Sequence, residues 1–173
     1  YIERQSNVSR GINLIKNAGG SLLQSMKNAA QALEQLVTIP LVGNIVAGEP
    51  MPVPPSDFSY YDPDSGIDIA RSLLPSTDPL DQLYALRVHG DSMIDAMVAD
   101  GDIVILKRQN VAHNGDMVAV WLTERGETTL KKYFHEGKKV RLQPANPLMD
   151  PIYVDADQVS VQGRVLAILR ALH

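Results

Sequence analysis

The sequence predicts a mostly β fold, an antiparallel β-strand domain preceded by a short helical or flexible tether. Three observations predict it. From Leu83 onward, six runs rich in β-branched residues follow one another at 10–20 residue spacing. Gly, Asn, Asp or Pro bounds each run. Beyond Thr38, prolines at 40, 50, 52, 54 and 55 punctuate a stretch that cannot be helical.

Taken in order, residues 17–37 place Leu22, Met26, Ala29, Ala30, Leu33 and Val37 at three-and-four spacing, which reads as an amphipathic helix or tether. Gly19-Gly20-Ser21 supplies a break and an N-cap ahead of it. Residues 56–82 are irregular and acidic, with turn signals at Tyr60–Pro63 and Ser76–Pro79, and a helix is expected through Ile67–Leu74. The strand runs are 83–90, 102–108, 115–122, 128–134, 138–144 and 159–170. Asn110–Gly115 and Glu124–Gly126 read as loops, and His135-Glu136-Gly137 as a hairpin turn. Between the first two runs, Ser92 stands on a turn, Met93–Val98 reads as one helical turn, and Asp100-Gly101-Asp102 turns into the next strand. The alternation apolar–polar recurs without any internal repeat, and six strands with few helices argue for an antiparallel β domain.

A chain of 173 residues has room for one ordinary domain and an appendage. Its 45% hydrophobic and 21% charged content fits a globular protein. With no cysteine, a disulfide scaffold, a thiol nucleophile and cysteine-containing zinc sites are excluded. No apolar run reaches the roughly 20 residues needed to span a bilayer and no signal peptide opens the chain, so no membrane role is expected and the cytoplasm is the expected compartment. Charge is unevenly spread: residues 1–47 carry a net +2 and the remainder −6. An acidic remainder is a poor electrostatic partner for DNA by itself. The first residue is Tyr rather than Met, which suggests a piece of a longer protein.

Four histidines (89, 113, 135 and 173) show no zinc-binding spacing, so no metal and no cofactor are expected. His89 lies three residues before Ser92, but a strand running into a turn would point the two side chains apart. Ser92 itself admits two readings. Its hydroxyl and nearby amides at the mouth of a turn suit a nucleophile beside an oxyanion hole. The local sequence fits an N-cap better, with Asp95 three residues on as in a capping box. A serine nucleophile needs a base, and with histidine disfavoured and cysteine absent, lysine remains. The adjacent Lys131 and Lys132 lie in a predicted strand, so only one can point inward.

The ordered series HGDSM, DGDIVI, NGDMVAV, TTLKKYF and VRLQPANP resembles the catalytic domain of LexA-type self-cleaving repressors, a family with UmuD-like proteins and phage repressors among its members. The likeness covers roughly residues 39–170. IPLVGNIVAGEP resembles the family's cleavage-site region, and YIERQSNVSRGINLI the end of its winged helix-turn-helix domain. The resemblance implies three segments: 1–15 as a winged-helix remnant, 16–38 as a tether, and 39–173 as an autopeptidase and dimerisation domain with its cleavage-site region at 39–54. It implies Ser92 as nucleophile, Lys131 as general base and Ala47-Gly48 as the bond cut, with Lys132 facing the other way. Backbone amides of Asp91 and Ser92 are the expected oxyanion hole.

By the same resemblance the protein represses DNA-damage (SOS) genes and is inactivated by self-cleavage. The implied partners are a RecA filament on single-stranded DNA, a second copy in a homodimer, and operator DNA bound through the N-terminal domain. Readings as a UmuD-like accessory protein of translesion synthesis or as a non-catalytic dimerisation module stay open. The run 159–170 is the expected dimer surface. For Lys131 to act as a base, burial must bring its pKa from about 10.4 towards about 7. Leu130, Val104 and Met93 are the apolar residues expected to supply that burial.

Overall fold

The computed structural model describes residues 23–27, 36–47, 66–75 and 78–171. The chain divides into two units at the Leu36/Val37 junction. In the first, residues 23–27 form an exposed helical segment. The winged-helix reading of residues 1–15 and most of the 17–37 helix lie outside the described residues. The helix nevertheless cannot reach Val37, because Leu36–Ile39 form strand β1. Leu36, Val37 and Ile39 are apolar, and Val37, Thr38 and Ile39 favour extended backbone, so propensity overrides the helical spacing read upstream.

The remaining strands are β2 (Leu41–Val46), β3 (Ile67–Ala70), β4 (Leu83–His89), β5 (Ile103–Arg108), β6 (Met117–Leu122), β7 (Glu127–Glu136), β8 (Lys139–Gln143), β9 (Ile152–Asp155) and β10 (Val159–Leu169). The mostly β class and the six predicted runs are therefore present. β1, β2, β3 and β9 are four further strands that the runs did not include. The helix expected through Ile67–Leu74 is instead β3 followed by a 3₁₀ turn at Arg71–Leu73. Ile67 and Ile69 alternate with Asp68, whose carboxylate accepts a hydrogen bond from Thr38 Oγ1 at 2.6 Å. That period-two pattern seats β3 beside β1. The hairpin turn is also shifted: β7 runs through Glu136, and Gly137-Lys138 makes the turn, with Gly137 at φ 69°. A glycine at the first central position supplies the positive φ that a two-residue hairpin requires.

β1 and β3 form a small sheet, and the other eight strands form one sheet in the order β2-β4-β5-β10-β6-β7-β8-β9. Pairing is antiparallel except at β2, which runs parallel to β4 and also meets β7, where Val46 stands opposite Thr129. The sheet thus curls until β2 bridges β4 and β7, and this closure brings the end of β2 between two otherwise distant strands. One core lies around Ile45, Ala47, Leu86, Val88, Met93, Val104 and Leu130, all at most 1% exposed. At about 25 cal/mol per Å² of apolar surface, burying each large side chain of such a core stabilises the fold by roughly 1.5–3 kcal/mol.

β10 lies between β5 and β6, so it is not an edge strand along its whole length. Gly163 is required there: a Cβ would come within 2.8 Å of the Lys107 carbonyl. Register with β6 ends at Arg164, whereas pairing with β5 continues to Leu169. Among the described residues, the half-buried segment Val165–Leu169 consequently has a strand on one side alone. No helix of the described residues is long and apolar enough to cross a membrane.

Candidate active site

The end of β4 delivers Ser92. Gly90, at φ 95°, takes a backbone conformation that L side chains rarely adopt and turns the chain away from the strand. Its amide donates to the Asp100 carboxylate at 2.9 Å. Ile94–Ala96 then form the expected short helical turn, but it is 3₁₀ and lacks a side-chain cap. The capping reading of Ser92 is thereby corrected. Ser92 is fully buried, and its Oγ lies 2.9 Å from Lys131 Nζ. The N-cap position of that turn is Met93, and the Ser92 hydroxyl is turned to Lys131.

The far wall of this turn is fixed by charge. Arg170, just beyond β10, donates through Nε and one terminal nitrogen to the two oxygens of Asp102, both at 2.7 Å. The Arg170 hydrogen bond holds the Asp102 carboxyl below the usual range, helped by the Ala99 amide. Arg170 also donates to the Met97 carbonyl at 3.0 Å. The segment from Ser92 to Asp102 is thus tied at both ends.

Lys131 comes from β7, on the far side of β2. It is 3% exposed, whereas its neighbour Lys132 is half-buried. Strand alternation sends the two lysines to opposite faces. Three acceptors surround Nζ: Ser92 Oγ at 2.9 Å, Thr129 Oγ1 at 2.9 Å and the Leu130 carbonyl at 3.1 Å. A neutral amine has two N–H bonds. Spending them on Thr129 and Leu130 leaves its lone pair directed at the serine hydroxyl.

Burial lowers the Lys131 pKa from 10.5 to about 8, the buried Glu127 carboxylate pulling the other way. Removing water from an ammonium disfavours it, and holding the group at about 8 represents about 3 kcal/mol against the charged form. The value stays above the about 7 expected from sequence because Glu127 was not foreseen there. Leu130, Val104 and Met93 are fully buried in one core cluster. The residue directly across the ladder from Lys131 is Val118, also fully buried, which the sequence reading did not single out.

β2 carries the third component. The Ala47 amide donates to the His89 carbonyl, and the Ala47 carbonyl accepts from the Ser92 amide at 2.8 Å. Thr129 Oγ1 lies 3.2 Å from the Val46 carbonyl, to which it can donate while accepting from Lys131. Ala47 is fully buried, so the segment is seated in the site. Gly48 lies outside the described residues. Of the two amides expected as an oxyanion hole, that of Ser92 reaches the Ala47 carbonyl. Asp91 takes part through its carbonyl instead, which accepts from Asn146 Nδ2 at 3.1 Å. Neither Asn146 nor Thr129 was singled out from sequence, although both lie within the quoted VRLQPANP and TTLKKYF motifs.

The histidines stand apart. His89 is half-exposed with Nδ1 3.7 Å from Asp100, and His113 is exposed beside Asp116. His135 is exposed within β7 rather than in a turn, and His173 lies outside the described residues. No group of three or more metal-ligating side chains occurs among the described residues.

Comparison with known proteins bears on this arrangement. The Peptidase S24-like family model matches residues 40–166. The chain is 44% identical to the LexA repressor of Roseiflexus sp. (strain RS-1), an alignment covering 99% of this chain and 73% of that protein. It is 41% identical to the LexA repressor of Herpetosiphon aurantiacus, over 99% of this chain and 74% of that one. Against the LexA repressor of Bacillus subtilis the identity is 38%, over 80% of this chain and 62% of its relative. The family match spans β2, Ser92, Lys131 and Asn146, and this chain belongs to the Peptidase S24-like family and, within it, to the LexA repressors.

Proposed function

We propose that this protein is a transcriptional repressor of DNA-damage (SOS) genes that inactivates itself by cutting its own Ala47-Gly48 bond. One observation carries the catalytic part of this reading. The Ala47 carbonyl accepts a hydrogen bond from the Ser92 amide, while Ser92 Oγ is in hydrogen-bond contact with a buried Lys131. A carbonyl already polarised by a backbone donor and a hydroxyl already paired with a base are what acyl transfer needs.

The chemistry then runs as follows. Neutral Lys131 takes the Ser92 proton as Oγ bonds to the Ala47 carbonyl carbon, and negative charge develops on the carbonyl oxygen facing the Ser92 amide. The C–N bond to Gly48 breaks as Lys131 returns the proton to the leaving amine. Water, deprotonated by Lys131 in turn, hydrolyses the Ala47–Ser92 ester and regenerates the hydroxyl. With a pKa of about 8, roughly a tenth of Lys131 is neutral at pH 7. Unassisted cleavage is accordingly slow at neutral pH, which leaves room for an activator. A RecA filament on single-stranded DNA is the partner this reading assigns.

Cleavage inactivates the repressor through separation. In this reading residues 1–15 end a winged helix-turn-helix domain that binds operator DNA, 16–38 tether it, and 39–173 hold the autopeptidase and dimerisation functions in a cytoplasmic homodimer. Severing the tether from a dimerising domain removes the effective-concentration gain that pairs two DNA-binding domains. The open side of Val165–Leu169 is the dimer surface we assign, since an unpaired apolar strand edge is a template for a second copy.

The test is product identity. Incubated alone at alkaline pH, the chain is expected to give two fragments of 47 and 126 residues, the larger beginning with Gly48. Intact-mass measurement and N-terminal sequencing read this directly. A cut elsewhere, or several cuts, would contradict the reading.

A further inference from the structure

We propose that Asn146 is a positioning residue for self-cleavage, holding and polarising the single peptide group that faces the Ala47 carbonyl. This rests on the self-cleavage reading above. The Asp91–Ser92 peptide is gripped from both sides. Its N–H donates to Ala47 O at 2.8 Å, and its C=O accepts from Asn146 Nδ2 at 3.1 Å. In a trans peptide these two groups point in opposite directions, so the two hydrogen bonds lie in series through one conjugated unit. A donor on the carbonyl draws electron density from the amide and makes its N–H a stronger donor. It also fixes the tilt of the peptide plane, and therefore the direction of the N–H.

Asn146 is built for this. It is 8% exposed, and its Oδ1 accepts from the Leu148 amide at 2.9 Å. Because Oδ1 faces an N–H, the amide orientation is fixed and Nδ2 must be the group aimed at Asp91. Prolines at 144 and 147 flank it and restrict the backbone. The adjacent Ala145 carbonyl accepts from the Asp95 amide at 2.7 Å, so the same short segment holds both ends of the nucleophile turn. A side chain that merely filled space would need neither the buried amide nor its two-sided locking.

The test is Asn146→Ala, which removes the donor to the Asp91 carbonyl without introducing a charge beside Lys131. Self-cleavage is measured across a pH series beside the unaltered protein, with thermal unfolding of both. The expected result is a fall of about 10- to 100-fold at every pH, short of the loss of an entire oxyanion donor, with the pH midpoint of the rate unmoved. A role limited to packing predicts instead that Ser92 shifts away from Lys131 and the midpoint moves. Asn146→Leu, which keeps much of the volume and adds no charge, serves where the alanine variant fails to fold, and the same uniform fall is expected. Cleavage at the unaltered rate in a folded variant, or a loss carried by a displaced midpoint, would overturn the inference while leaving the function reading standing. Failure of the unaltered protein to cut itself would remove both.

Discussion

Lys131→Ala and Ser92→Ala are each expected to reduce self-cleavage by at least about 10⁴-fold, and Lys132→Ala to leave it within a few-fold of the unaltered rate. Nucleophile and base act as a unit, so losing either forfeits nearly the whole of their joint contribution. In Lys131→Ala the serine hydroxyl loses the amine 2.9 Å away, and among the described residues no histidine hydrogen-bonds to it. Lys132 is half-buried on the opposite face of the same strand and cannot take over the role. Densitometry of a gel time course at pH 9 is sufficient. Cleavage retained in Lys131→Ala and lost in Lys132→Ala would contradict the assignment of the base.

The second large effect concerns the seat of the chain's own segment. Ala47 is fully buried in the core that also holds Ile45, Met93 and Leu130. Forcing a larger side chain into a closely packed core costs about 1–3 kcal/mol, occasionally more. Here the strain is relieved by undocking the end of β2, because the Val46–Thr129 contact and the Ala47 hydrogen bonds are few. Ala47→Trp is therefore expected to lower the cleavage rate at least about 100-fold, the equivalent of about 3 kcal/mol in the docked population. The remaining strands keep their pairing, so the melting temperature falls by only a few degrees. Unchanged cleavage in Ala47→Trp would show that the seated arrangement is not the reactive one.

Legibility of this molecule from sequence followed the kind of information each feature rests on. The runs that became β4 to β8 and β10 are long and apolar, and turn residues mark their ends. The short strands were harder. Ile67–Ala70 reads equally as one helical turn, and what decides it is pairing with β1, a non-local contact that no local window contains. β2 was seen as extended, but its position between β4 and β7 depends on the curl of the whole sheet. At the site, Ser92 looked more like a cap than a nucleophile, since the lysine that engages it is 39 residues away. The motif resemblance, rather than any local rule, singled out Lys131 from its neighbour. Asn146 acts through a hydrogen bond between two distant loops and Thr129 through one to β2, and their residue types alone carry no such signal.

Two charged pairs show the same limit. Glu127 precedes Lys131 by four residues in β7, so alternation puts both side chains on one face, although about 13 Å of strand separates them. Its burial raises its own pKa and its charge raises that of Lys131. Asp102 and Arg170 are 68 residues apart, yet they join the end of β10 to the nucleophile segment. Such pairs are set by topology and are visible once the strand order is known.

The most direct test of the account is the rate of self-cleavage of the unaltered chain as a function of pH, repeated over a wide range of protein concentration. Raising the pH deprotonates Lys131, so the rate should climb about tenfold per pH unit below its pKa and level off above about 8. Because substrate and catalyst share one chain, the reaction should be first order, with the same rate constant at every concentration. A rate constant that rises with protein concentration, or a rate that falls between neutral pH and pH 9, would contradict intramolecular attack by Ser92 with Lys131 as the base.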